Sequence, residues 1–343
     1  MHLRNFLKCL GALGVGASLL NPNPAAAAPP LKTGPSLLFD SWSTQVLDQQ
    51  ASTKYPPNFT PRGMTQSGLR ISTILSSLKS YGEKTGGEVK GGYNISFTQG
   101  ARIDSNLLKG IQVYISLTRY QGTSFAYREQ ELQALHDFVH DQGGSILLHT
   151  NHGPPPGPGK ANDDYTQNDQ ALAKKFGITL EPYFVTYTTE YKSEYMKMNV
   201  TKPSSKLNKF FDSDFQYISN RASTIASHDS CIITPPKTSY AILAEFPEGT
   251  TVFNRTLIGP KPIPLKNSGL SKCFAILVPY GKGSVIVVGN SGMLSNFGSI
   301  GQSTGLIPME NNLMFFLNCV SYLAGYSEIP TPGFGPSGPY LPQ

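Results

Sequence analysis

Two histidines three residues apart, His149 and His152, flank Asn151 just ahead of the run Pro154-Pro155-Pro156-Gly157-Pro158-Gly159. If the chain turns there, the two imidazoles can ligate a divalent metal, with a distant carboxylate such as Asp40 as a further ligand. On a continuing strand they point to opposite faces and serve a polar ligand or the turn itself. Ser291, in Gly289-Asn290-Ser291-Gly292, follows the apolar run Val285–Val288. A serine at a strand end, with His149 or His152 as base and Asp40 as orienter, is a hydrolase arrangement. Its flanks are not the G-x-S-x-G elbow, and the same glycines suit an ordinary tight turn. His136-Asp137-Phe138-Val139-His140 approaches the H-E-x-x-H zinc motif, with the shorter Asp in the second position. At about 100° per residue, both histidines lie well off the apolar stripe centred between Leu135 and Val139. They face solvent at a helix end, so a zinc protease is not expected.

Asp40 closes the apolar run Leu37-Leu38-Phe39, and Trp42, the single tryptophan, stands two residues on. Asp40 either caps the next turn or meets a ligand. Trp42 either packs in the core or walls the same cleft.

An alternation of strands and helices positions these groups. Strands are expected at 37–39, 93–97, 111–117, 145–149, 240–246, 274–279 and 284–288, and helices at 68–81, 129–140, 169–176 and 309–325. Gly281-Lys282-Gly283 reads as a hairpin turn. Such alternation implies an α/β fold, mainly a parallel sheet with helices on both faces. Ligands of open α/β sheets bind outside the carboxyl ends of the strands. That rule selects Asp40, Ser116 to Arg119, His149 to His152 and Asn290 to Asn296. The stretch 183–239 is β-branched and Tyr-rich and reads as a β-rich insertion. Within it Tyr183, Tyr187, Tyr191 and Tyr195 recur every four residues, one face of a strand, either packed in the core or exposed as a stacking row.

Three stretches resemble a known superfamily: Leu37 to Asp40 as its opening strand; 129–153 with 168–178 as its helix, Gly-Gly turn, strand and second helix; and 280–290 with 312–325 as its closing hairpin and last helix. Together they are similar to class I glutamine-amidotransferase-like domains, of the non-glutaminase branches found in gliding-motility and transport-auxiliary proteins, intraflagellar-transport domains and trehalose-utilisation-like domains. The resemblance implies a flavodoxin-like sheet. It carries no catalysis, because no cysteine here sits on the sharp Gly-flanked turn that a glutaminase needs.

Arg4 and Lys8, the apolar stretch Cys9–Leu20 and the small residues Ala25–Ala28 have the order of a secretory signal peptide over 1–28, so a secreted or periplasmic protein is expected. Losing Arg4 and Lys8 takes the formal charge from +6 to +4. That charge is scattered, without the Lys/Arg clusters of a nucleic-acid surface. No stretch is long and apolar enough for a membrane span, and 35 phenylalanine and tyrosine residues argue against global disorder. Cys231 and Cys273 each open a strand-like run, and a disulfide between them fits an oxidising compartment. Cys319 falls near the buried arc of the last helix and reads as a buried thiol. The remainder, 329–343, is a Pro/Gly-rich tail.

The leading expectation is an α/β protein spanning 29–328 without a cofactor. It binds a small molecule, carbohydrate or protein partner in a cleft lined by Asp40, Trp42, His149, Asn151, His152, Asn290 and Ser291. The rivals are a hydrolase using Ser291 with a His base or a metal at His149 and His152, and a structural surface protein using the Tyr row.

Overall fold

A computed structural model describes residues 34–44, 71–80, 92–155, 164–187, 196–200, 222–253, 262–295, 306–307 and 310–325. The expected signal peptide, most of the Pro/Gly loop, Tyr191, Tyr195, Asn296 and the tail lie outside the described residues.

Thirteen strands and four α-helices follow one another among the described residues. They run β1 (Ser36–Phe39), α1 (Ser72–Ser80), β2 (Asn94–Phe97), β3 (Val113–Leu117), α2 (Glu129–His140), β4 (Ser145–His149), α3 (Gln167–Lys175), β5 (Thr179–Thr186) and β6 (Met196–Asn199). Then come β7 (Thr224–Ser227), β8 (Ser230–Thr234), β9 (Ala241–Glu245), β10 (Thr251–Phe253), β11 (Ile263–Pro264), β12 (Cys273–Tyr280), β13 (Gly283–Val288) and α4 (Asn312–Leu323).

The chain is a mixed α/β protein built on one large sheet. Its parallel half has the order β2-β1-β3-β4-β13. β3 and β4 are buried at every position, which is why they read as unbroken apolar runs. Alternate residues feed separate clusters, as the period of two requires. Leu37, Phe39, Ile115 and Leu147 join Ile74 and Leu78 of α1 and Phe315 and Phe316 of α4. Leu38, Tyr114, Ile146 and Leu148 join Leu132 and Leu135 of α2 and Leu172 of α3.

The expectation of a mainly parallel sheet holds for that half alone. From β13 the sheet continues antiparallel through β12, β8, β5 and β10 to β11, with β9 also on β12. The connections account for the difference. A parallel crossover takes a dozen or more residues, usually a helix, and no α-helix is described between α3 and α4. In the β12–β13 hairpin Tyr280 pairs with Gly283, leaving the two-residue turn Gly281-Lys282. Gly281 has φ 56°, and a Cβ there would come within 2.8 Å of the His140 carbonyl carbon. The turn therefore needs glycine twice over, for its conformation and for its close approach to the end of α2. Lys282 N donates to His140 O at 2.9 Å, fixing that contact.

Candidate functional site

The parallel strands bring their carboxyl ends to one edge in adjacent register. Phe39 lies beside Ile115, Leu117 beside His149, and His149 beside Val288. The residues that follow each strand, Asp40, Thr118 and Arg119, Thr150, and Asn290 and Ser291, therefore cluster where the strand-end rule places a ligand.

Arg119 organises this cluster and is fully buried. Its Nε donates to Asp40 Oδ2 at 2.9 Å, and its Nη2 donates to Glu131 Oε1 at 2.9 Å. Its backbone N–H donates to Asp169 Oδ1 at 3.0 Å. The guanidinium carbon lies 3.6 Å from the centre of the Tyr127 ring, a close cation–π contact. Glu131 also accepts from Arg102 Nη1 and from the Arg128 backbone N–H, each at 2.9 Å. Two carboxylates thus meet two guanidinium groups, the pairing that buried charge requires. Burial pushes the Glu131 carboxyl up, but Arg119, the Arg128 N–H and Arg102 together hold it below its ordinary value.

Asp169 stands in the first turn of α3 and is fully buried. Burial raises it to about 8, against the pull of the Arg119 N–H, the Thr150 hydroxyl and the Arg119 charge. The Thr150 contact falls outside normal hydrogen-bond geometry, and Oδ2 has no other partner. Asp169 is therefore mostly protonated at neutral pH.

Ser291, His149 and Asp40 are all fully buried at this edge, but each is engaged elsewhere. His149 Nδ1 lies 3.1 Å from the Asn290 carbonyl, its Nε2 has no partner, and burial lowers it to about 4 despite that carbonyl. Thr118 Oγ1 is 2.9 Å from Ser291 Oγ and 3.0 Å from the His149 carbonyl. Thr118 itself adopts φ 61°, an uncommon conformation for a β-branched residue. Asp40 Oδ1 accepts from Trp42 N at 3.1 Å, closing an Asx turn, while Oδ2 faces Arg119. His149 shares no hydrogen bond with Ser291 or Asp40. Asn290 is a turn holder: Nδ2 donates to the Asp229 carbonyl, and Oδ1 accepts from Met293 N at 3.0 Å.

Trp42, Asn151 and His152 are partly exposed. Trp42 lies under the Arg102 guanidinium at 4.8 Å and edge-on to Phe125 at 5.6 Å. Asn151 Oδ1 accepts from His152 N at 2.8 Å. The His152 ring packs on Tyr165 and Phe184, each at 5.1 Å, whereas His149 packs on Phe316. Among the described residues no group of three or more His, Cys, Asp or Glu is placed to hold a metal. Tyr183 is half-buried on β5, and Tyr187 just beyond it is exposed.

The expected Cys231–Cys273 bridge is not present; both residues are free buried thiols, as is Cys319. The register gives the reason. Cys273 pairs with Ile233, two residues along β8 from Cys231, and such diagonal neighbours lie about 7–8 Å apart, beyond ordinary disulfide reach.

The strand-end rule covers Arg119 but gives it no role, and it does not reach Glu131 or Asp169, which lie on helices. Each carries a legible signal. Glu131 shares a helix face with Leu135 and Phe138, and Asp169 shares one with Leu172, Ala173 and Phe176. An acid at i, i+4 and i+7 from apolar residues is aimed at the core and needs a partner there.

No protein-family model matches this chain, and no curated protein matches it. Among solved structures, the mmIFT52 N-terminal domain is similar at 15% identity, over 85% of this chain and 99% of that one, with a TM-score of 0.51. Cytoplasmic protein STM1381 from Salmonella typhimurium LT2 aligns at 11% identity, over 84% of this chain and 99% of that one, with a TM-score of 0.45. A β-galactosidase from Rahnella sp. R3 aligns at 12% identity, over 85% of this chain but 31% of its own length, with a TM-score of 0.42. At such identities the likeness is one of fold, and the first of the three carries it.

Proposed function

We propose that this is a secreted or periplasmic, non-glutaminase member of the amidotransferase-like superfamily, flavodoxin-like with helices on both faces of its sheet. It binds a ligand or protein partner at the carboxyl edge of its parallel strands and does not catalyse. The observation carrying this reading is the engagement of Ser291, His149 and Asp40 with Thr118, Asn290 and Arg119 in place of one another. A hydrolase needs its nucleophile and base in mutual reach. The thiols add support. Burial pushes all three upward, Cys273 to about 11, away from the thiolate that a glutaminase uses. The order of residues in 1–28 supports export.

Arg119 is fully buried, and of the expected cleft residues Trp42, Asn151 and His152 are the ones partly exposed. An aromatic surface with amide and imidazole groups suits a carbohydrate. The test is calorimetry of the purified chain against an oligosaccharide and peptide panel. A binder whose affinity falls about tenfold or more in Asn151→Ala and in His152→Ala, without loss of folding, is the expected result. A panel without a binder, or binding that survives both substitutions, contradicts the reading.

A further inference from the structure

His140 faces solvent as expected, but His136 is partly buried against Phe176 and Tyr280, and the pair has features that a helix surface alone does not require. The rings stand with centroids 5.4 Å apart and planes 12° from parallel. His136 Nδ1 lies 3.1 Å from Asp137 Oδ1, and His140 Nδ1 lies 2.7 Å from Asp141 Oδ1. A carboxylate at Nδ1 fixes the tautomer, leaves the lone pair on Nε2 and raises its basicity, the support given to metal-binding histidines. The His140 side chain is 50% exposed and that of His136 25%.

The spacing fits an ion. With a metal–nitrogen bond of about 2.1 Å and a nitrogen about 1.1 Å from its ring centre, two imidazoles on a tetrahedral ion hold their centroids about 5 Å apart. To converge both Nε2 lone pairs on one ion, the near-parallel rings must turn about χ2, a broad torsion, and the exposed Asp137 and Asp141 side chains must follow them. The site also lies in the last turn of α2, where the helix dipole favours a cation.

We propose that His136 and His140 form a two-histidine clamp for a divalent transition-metal ion of the zinc or nickel class, bound through both Nε2 atoms. Imidazole selects this class over magnesium or calcium, which take oxygen ligands. Water fills the remaining positions, since no third His, Cys, Asp or Glu converges there among the described residues. On binding, the ion takes the place of the Tyr280 hydroxyl, now 3.2 Å from His136 Nε2. Because the β12–β13 turn docks on the His140 carbonyl, an ion there stiffens the junction of α2 with the hairpin.

The test is titration of the metal-free full chain with zinc and with nickel, followed by calorimetry and thermal unfolding. One ion is expected at this site, with a raised Tm. His136→Ala and His140→Ala each weaken binding about tenfold or more, and Asp141→Asn weakens it less, as for a supporting carboxylate. His152→Ala leaves it unchanged. Failure of the unsubstituted chain to bind either ion overturns the proposal. So does wild-type affinity in folded His136→Ala and His140→Ala, which keeps the test valid whatever either substitution does to stability.

Discussion

Arg119→Met destabilises the folded chain by about 3–5 kcal/mol in urea unfolding, the largest single-residue effect expected in this structure. The guanidinium is the strand-end cation for Asp40, and it shares Glu131 with Arg102. Removing it leaves the Asp40 carboxyl buried without its counter-charge, while Glu131 keeps Arg102. The cost is therefore concentrated on Asp40. Adding Asp40→Asn to Arg119→Met then recovers part of the loss, so the two substitutions do not add. Arg119→Lys does not restore stability, because one ammonium cannot reach two carboxylates and stack on Tyr127 as the planar fork does. A loss below about 1 kcal/mol for Arg119→Met shows instead that the network is peripheral to folding.

The second large effect is on pH dependence. Asp169 is held at about 8 in the fold, against roughly 4 in an unfolded chain. The folded state keeps a proton that the unfolded state gives up, so stability falls as pH rises between those values, by up to about 1.4 kcal/mol per pH unit. Asp229, raised to about 7 by burial, acts in the same sense. His149 and His228, both lowered to about 4 by burial, act in the opposite sense, but only below about 6.5, where an unfolded imidazole takes up its proton. Above about pH 6.5 these two aspartates lower stability as pH rises, Asp229 up to about 7 and Asp169 up to about 8. Asp169→Asn keeps the shape and the acceptor for the Arg119 N–H without a titrating proton. It is expected to flatten that decline and to gain on the order of a few kcal/mol at pH 8, with little gain at pH 4. Parallel stability curves for the two proteins contradict the buried, protonated Asp169.

The parallel half of the fold is legible in the sequence because its signals are local. β3 and β4 are continuous apolar runs, α2 and α4 show helical spacing, and Gly281 marks the hairpin. The antiparallel half is less legible because β5, β8 and β12 are joined by pairings between distant residues. Their register also decides that Cys273 faces Ile233. The site divides in the same way. Asp40, His149 and Ser291 are found by their place at strand ends, but that place says nothing of their partners. Which polar atom pairs with which is settled by Thr118 turning through a left-handed conformation and by Arg119 reaching back to Asp40 and Glu131.

The central claim, binding without catalysis at this edge, is tested most directly by turnover. The purified chain and Ser291→Ala are to be assayed side by side on ester, glycoside and glutamine substrates. The account predicts no turnover by the unsubstituted chain beyond that of Ser291→Ala. Turnover of any of these substrates that disappears in folded Ser291→Ala contradicts it and makes Ser291 a nucleophile.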